Sequence, residues 1–167
     1  MSYRNKVFVS FDGDQDIHYY RLMRAWKQSD NTPFNFYDAH DINSARDTST
    51  EETIKKRLRE RLENTKVFVL LVGKNTRYLY KFVRWEIEQA ISLSLPIIVV
   101  NLNGLRSMDS DLCPSIVRDE LAMHISFKSS ILQYALEKWP FQHQTLKEQF
   151  ESGPYYYKSE TYERLGL

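Results

Sequence analysis

Six apolar residues in a row, Val67-Phe68-Val69-Leu70-Leu71-Val72, lie between Lys66 and Gly73. A strand with one face in water would alternate apolar and polar residues, and this run does not. It predicts a strand buried on both faces, as in the middle of a parallel sheet. Such a strand needs a layer of helices above and below it, and the remaining segments supply candidates.

Lys6-Val7-Phe8-Val9-Ser10-Phe11 reads as a first strand, followed by an acidic turn, Asp12-Gly13-Asp14-Gln15-Asp16, suited to capping a helix. From Ile17 to Lys27 the residues Ile17, Tyr20, Leu22, Met23 and Trp26 fall near helical spacing, and Asn31-Thr32-Pro33 ends that helix. Phe34-Asn35-Phe36-Tyr37 predicts a second strand. The polar stretch from Asp38 to Thr50 is long for a strand-to-helix loop, and loops of this length are often functional. Ser49-Thr50-Glu51-Glu52 has the form of a capping box ahead of a helix whose Ile54, Leu58 and Leu62 share one face.

After the central run, a helix is expected from Phe82 to Leu93, a strand over Pro96–Asn101 and a turn at Asn103-Gly104. Residues 105–121 are irregular, with a short helix near Ser115–Glu120. A fifth strand is expected over Ala122–Phe127 and a helix over Ser129–Lys138, which Pro140 interrupts before a further helix from His143 to Phe150. Strands alternating with helices predict an α/β fold. We expect a doubly wound, flavodoxin-like sheet of five parallel strands in the order 2-1-3-4-5, with helices on both faces. At 167 residues one domain fits: an α/β core over 1–128, with a C-terminal helix and aromatic tail over 129–167 packed on it.

The formal net charge of +1 calls for neither a nucleic-acid nor a membrane partner. The single cysteine, Cys113, cannot form an internal disulfide. No cysteine or histidine pair stands at metal-ligand spacing, so no metal is expected. No apolar run approaches a membrane span, and the N-terminus lacks a signal-peptide layout, so a cytoplasmic location is expected. Trp139, Phe141, Phe150, Tyr155, Tyr156, Tyr157 and Tyr162 concentrate near the C-terminus. They have two readings, an aromatic tail packed on the domain or a self-association surface.

In a doubly wound sheet ligands bind outside the C-terminal ends of the strands. Those ends are Phe11–Asp16, Asp38–Arg46, Gly73–Glu86 and Asn101–Leu105. They contain no dinucleotide fingerprint, phosphate-binding loop or nucleophile elbow. A phosphoacceptor aspartate is missing too, because the third strand ends in Val72-Gly73.

What the strand ends do carry resembles the TIR domains. Val7-Phe8-Val9-Ser10-Phe11 is similar to that family's first box, and Phe36-Tyr37-Asp38 resembles its second strand entering the long BB loop. Val67–Gly73 followed by Lys81-Phe82-Val83-Arg84-Trp85-Glu86-Ile87 is the strongest likeness, with Phe82 at the family's tryptophan position and Glu86 at its glutamate position. Gly73-Lys74-Asn75-Thr76, Val83–Glu88 and Asn101-Leu102-Asn103 resemble the bacterial TIR-like branch that includes the ThsB subunits of Thoeris anti-phage systems. The likeness covers roughly residues 5–128.

This resemblance implies an enzyme that cleaves NAD between nicotinamide and ribose, as an NAD glycohydrolase or an ADP-ribosyl cyclase making a messenger for a separate effector protein. NAD is then substrate, and no bound cofactor is implied. Glu86 becomes the catalytic carboxylate. Glu88, about 200° around the helix, would face solvent. Phe11 would line the ribose pocket or serve as core. Asp12, Asp38, Asp41 and Arg46 sit on the crevice loops, where Arg46 would meet a pyrophosphate or simply water. Asn75 and Thr76 would hydrogen-bond near Glu86 or shape the turn, and Phe82 would line the pocket. A non-catalytic interaction module, and an enzyme transferring glycosyl groups from other nucleosides or nucleotides, are the alternatives. The interaction module would be favoured by a Glu86 buried in a salt bridge or by the lack of a cavity beside it; the glycosyl-transfer enzyme would differ in its substrate.

Overall fold

The structure is a computed structural model that describes residues 6–29, 35–38 and 50–167. Among the described residues six strands form a single sheet: β1 (Lys6–Ser10), β2 (Asn35–Asp38), β3 (Val67–Val72), β4 (Ile97–Asn101), β5 (Ala122–Ser126) and β6 (Pro154–Tyr156). Their order is β2-β1-β3-β4-β5-β6, and every pairing is parallel. The doubly wound class holds, with one correction: the sheet has a sixth strand, not five. Only three residues long, Pro154-Tyr155-Tyr156 has too little periodicity to stand out from its aromatic surroundings.

The central run behaves as its composition demands. All six residues of β3 are buried, and their side chains divide between two cores. Val67, Val69 and Leu71 join Val7, Val9, Ile98, Val100, Met123 and Ile125 on one face. That face is covered by α1 (Ile17–Ser29), the long α5 (Ser129–Glu148) and α6 (Ser159–Arg164) through Tyr20, Met23, Leu132, Trp139 and Tyr162. Phe68, Leu70 and Val72 join Phe8, Ile97 and Val99 on the other. There α2 (Glu51–Glu63), α3 (Val83–Ser92) and α4 (Ser115–Arg118) contribute Ile54, Leu58, Leu62, Ile87, Ala90 and Val117.

Two local expectations shift. The cap of α2 is Thr50, one residue later than the predicted box; its Oγ1 accepts the Thr53 N–H at 3.1 Å. Pro140 does not break the C-terminal helix, which is continuous from Ser129 to Glu148. A proline inside a helix costs about 3 kcal/mol. Here Leu136 and Trp139 before it and His143 after it are all buried, so burial on both sides holds the helix together across the proline.

The C-terminal aromatics divide between the two readings. Trp139 and Tyr162 are fully buried, and Tyr155 and Tyr157 pack on the same core. The Tyr162 hydroxyl accepts the Ser126 N–H at 3.3 Å, tying α6 to the end of β5. Phe141, Phe150 and Tyr156 are exposed. Phe150 closes α5 in a Schellman motif, in which its N–H bonds the Lys147 carbonyl and the Glu151 N–H bonds that of Leu146. It sits at φ +59°, a left-handed position that glycine favours, and it is 95% exposed. The same motif ends α6 with Gly166 at φ +78°. Replacing Phe150 with glycine removes a left-handed strain of about 1–2 kcal/mol and loses little packing. Phe150→Gly should therefore raise the thermal midpoint by about 2–4 °C in a calorimetric scan.

His124 lies in β5 with no exposure, and neither ring nitrogen has a hydrogen-bond partner among the described residues. Burial pushes its pKa down to about 4 from 6.5. The unfolded chain then binds the proton more readily between those values, so stability falls as pH drops through that window. His143, lowered by burial and by Lys147, acts with the same sign. Denaturant titrations should show His124→Leu losing less stability than the parent between pH 7 and pH 4, by about 3 kcal/mol at most.

Candidate functional site

The alternation of β1 decides what its last residues meet. Val7, Val9 and Phe11 point to the α1 face, so Phe8 and Ser10 point to the face that α3 covers. Glu86 stands in the first turn of α3, 1% exposed, and Ser10 Oγ donates to its Oε1 at 2.6 Å. A carboxylate loses much of its hydration at such a position, and hydrogen bonding offsets part of that cost. Position in the first turn adds the favourable end of the helix dipole.

Immediately beyond Ser10, a cavity of about 350 Å³ opens at the C-terminal edge of the sheet. Among the described residues two segments line it. One is Phe11–Asp14, leaving β1; the other is Tyr78–Val83, which ends the loop after β3 and begins α3. The volume lies within the range of small-molecule sites. Phe11 combines both roles set out for it: 8% exposed and stacked on Tyr20 at 5.0 Å, it belongs to the core and also lines the cavity. Phe82, 6% exposed, lines the cavity one helical turn before Glu86.

Asp12 is 4% exposed and lines the cavity, while its Oδ1 accepts the N–H groups of Asp14 and Gln15 and holds the turn. Thr76 is buried with its hydroxyl committed to backbone: it accepts the Gly73 N–H at 2.9 Å and donates to the Leu71 carbonyl at 3.4 Å. Asn75 is exposed and precedes the 3-10 turn Thr76–Tyr78 without capping it. Neither Asn75 nor Thr76 lines this cavity. Asp38 ends β2 beside Val9, whereas Asp41 and Arg46 fall outside the described residues. Glu88 lies on the exposed side of α3 and pairs with Arg84 at 3.2 Å. Trp85 is half-buried under the Lys55 ammonium, 5.6 Å from its ring.

The sequence reading missed eight residues at or beside the cavity, among them Gly13, Leu79 and Val83. Ser10 was legible as a partner for α3 from strand alternation alone. Asp14, Tyr78, Tyr80 and Lys81 line the cavity. The signal for the last three is the interleaving of cations and aromatics in Arg77-Tyr78-Leu79-Tyr80-Lys81-Phe82-Val83-Arg84. Cations stand over three of those rings: Arg77 over Tyr78 at 4.7 Å, Lys81 over Phe82 at 5.5 Å and Arg84 over Tyr80 at 5.9 Å.

Behind the cavity, Asp16 is 8% exposed, and its Oδ2 has no hydrogen-bond partner among the described residues. Burial and neighbouring Asp12 raise its pKa. The carboxylate packs on Gly73, where an added Cβ would come within 2.3 Å of Oδ2. Glycine is required here by close approach. Among the described residues no group of acidic, histidine and cysteine side chains is arranged to hold a metal ion. Nor is any described helix long and apolar enough to cross a membrane.

A doubly wound parallel sheet, with a crevice beyond β1 and β3 and a buried glutamate opening the helix after β3, places this chain among the TIR-like domains. Residues 8–107 match the family model described as Thoeris protein ThsB, TIR-like domain, and the chain belongs to that family. The match begins in β1 and ends beyond β4, so it contains Ser10, both cavity-lining segments and Glu86.

Gly73→Ala should destabilise the protein by about 1–3 kcal/mol in urea unfolding, the usual cost of forcing atoms into a packed site. Most of that loss should disappear in an Asp16→Ala background, which removes the clashing carboxylate.

Proposed function

We propose that this protein cleaves the bond between nicotinamide and ribose in NAD, using Glu86, as a signalling enzyme of anti-phage defence. The observation that supports this most directly is the Glu86 carboxylate, held by Ser10 beside a cavity lined by Phe11 and Phe82. Membership of the Thoeris family supports the defence role.

The chemistry asks little of the protein. The nicotinamide ring of NAD is already cationic, so when the C–N bond breaks its electron pair passes to the ring nitrogen and no proton donor is needed. Positive charge develops on the ribose, as in glycoside hydrolysis. A carboxylate fixed beforehand near that charge stabilises the transition state without reorganising. Glu86 fills this role, and Ser10 positions it. Phe11, Phe82 and Asp12 line the space for the substrate. Water capture of the ribosyl cation gives ADP-ribose and a proton. Capture by a nucleophile of the same molecule gives a cyclic messenger for a separate effector protein. We place the protein in the cytoplasm, where NAD is available.

The exposed Phe141, Phe150 and Tyr156 favour a second role alongside the first, in contacts between copies or with a partner protein. Purified protein incubated with NAD should release nicotinamide, followed by mass spectrometry. Glu86→Gln, nearly isosteric and uncharged, should lower turnover at least about 100-fold. Ser10→Ala should lower kcat more than it raises KM. Undiminished turnover by Glu86→Gln would remove Glu86 from the chemistry. No nicotinamide release, from free or crowded protein, would leave the contact role standing alone.

A further inference from the structure

The charges around the cavity are segregated. Among the described residues its two anionic side chains, Asp12 and Asp14, both come from the segment leaving β1. Among the same residues its one cationic side chain, Lys81, comes from the segment that enters α3. The neighbouring cations are otherwise engaged. Arg77 donates to the Asp111 carbonyl and the Tyr78 hydroxyl, and Arg84 pairs with Glu88. Lys81 is 59% exposed, and its ion pair with Glu51 is long at 3.9 Å. The ammonium is therefore available to a ligand at little cost.

The two acids differ as well. Asp12 Oδ1 is bound to the turn. Asp14 is exposed, and its carboxylate has no hydrogen bond or ion pair among the described residues. A site with an exposed anion on one segment and an exposed, loosely paired cation on the other discriminates between the two ends of a dipolar ligand. It also penalises the reversed pose, because like charges then meet. Tyr78 and Tyr80, both exposed, line the same cavity.

We infer that the crevice is polarised to accept a dinucleotide in one orientation, with Lys81 receiving the diphosphate and Asp14 facing the positively charged ring. This rests on the proposed function for its substrate, and it adds the residues that set the substrate's direction. Lys81 and Asp14 are positioning residues; they take no part in bond cleavage. A charge-assisted bond to phosphate is about twice as strong as a neutral one, so loss of the Lys81 charge should be visible in binding.

The test uses two probes that divide the dinucleotide's charges. ADP-ribose carries the diphosphate without the cationic ring, and nicotinamide riboside carries the cationic ring without the diphosphate. Binding of each is measured by calorimetry to the unsubstituted protein, Lys81→Gln and Asp14→Asn. Lys81→Gln should weaken ADP-ribose about fivefold or more and leave nicotinamide riboside within about twofold. Asp14→Asn should weaken nicotinamide riboside and leave ADP-ribose unchanged or tighter. Both side chains are exposed, and unchanged melting curves would confirm that each variant folds. Parallel effects of one variant on both probes would overturn the inference. So would no effect of either variant, or no binding of either probe to the unsubstituted protein. Neither arm needs turnover, so failure here is distinct from failure of NAD cleavage, which the Glu86→Gln assay reads.

Discussion

A strand buried on both faces has no polar side to give to water, and that constraint on β3 organises the molecule. With Val67, Val69 and Leu71 on one side and Phe68, Leu70 and Val72 on the other, helices must cover both faces. Pairing β3 with β1 and β4 in parallel then brings the ends of three strands to one edge. The cavity lies at that edge because helices cover the faces and leave only the strand ends open.

The placement of Glu86 follows from the same alternation. Ser10 is the residue of β1 that turns toward α3 at the strand's end, and α3 begins where the loop after β3 returns to the sheet. Their hydrogen bond thus joins two elements that are 76 residues apart in the chain. A hydroxyl and a carboxylate buried together incur a desolvation cost that apolar residues at the same positions would avoid, and their hydrogen bond offsets part of it. Asp16 against Gly73 makes a comparable arrangement one layer behind, with the glycine leaving room for the carboxylate.

Legibility in the sequence tracked how local each cause was. The strands and main helices announce themselves through periodicity, whereas Glu86 was singled out by its likeness to the family's glutamate, and the structure places it buried in the first turn of α3. Pro140 misled because a local rule was set against burial by Leu136, Trp139 and His143, which no short window contains. The β6 strand was missed because it is three residues long and its partner strand lies about thirty residues earlier. Asp14 and Lys81 were overlooked for a different reason: exposed charges carry no periodicity, and only the folded chain shows that both border one cavity. Thr76 stood in the expected segment, but a contact with the ligand and a bond to the turn look the same in sequence.

The uniformly parallel sheet also has a kinetic consequence. Five parallel pairings mean that no two neighbouring strands can zip together from a hairpin; each waits for a crossover to close. Contacts of that kind incur loop-closure entropy before they gain burial, which slows folding. The Tyr162 hydroxyl on the Ser126 N–H then brings the last helix onto β5, across thirty-six residues. A growing chain cannot make that bond until Tyr162 has been added, thirty-six residues after Ser126. On a ribosome, then, the edge of the sheet at β5 stays without β6 and α6 until that further stretch of chain has followed it out.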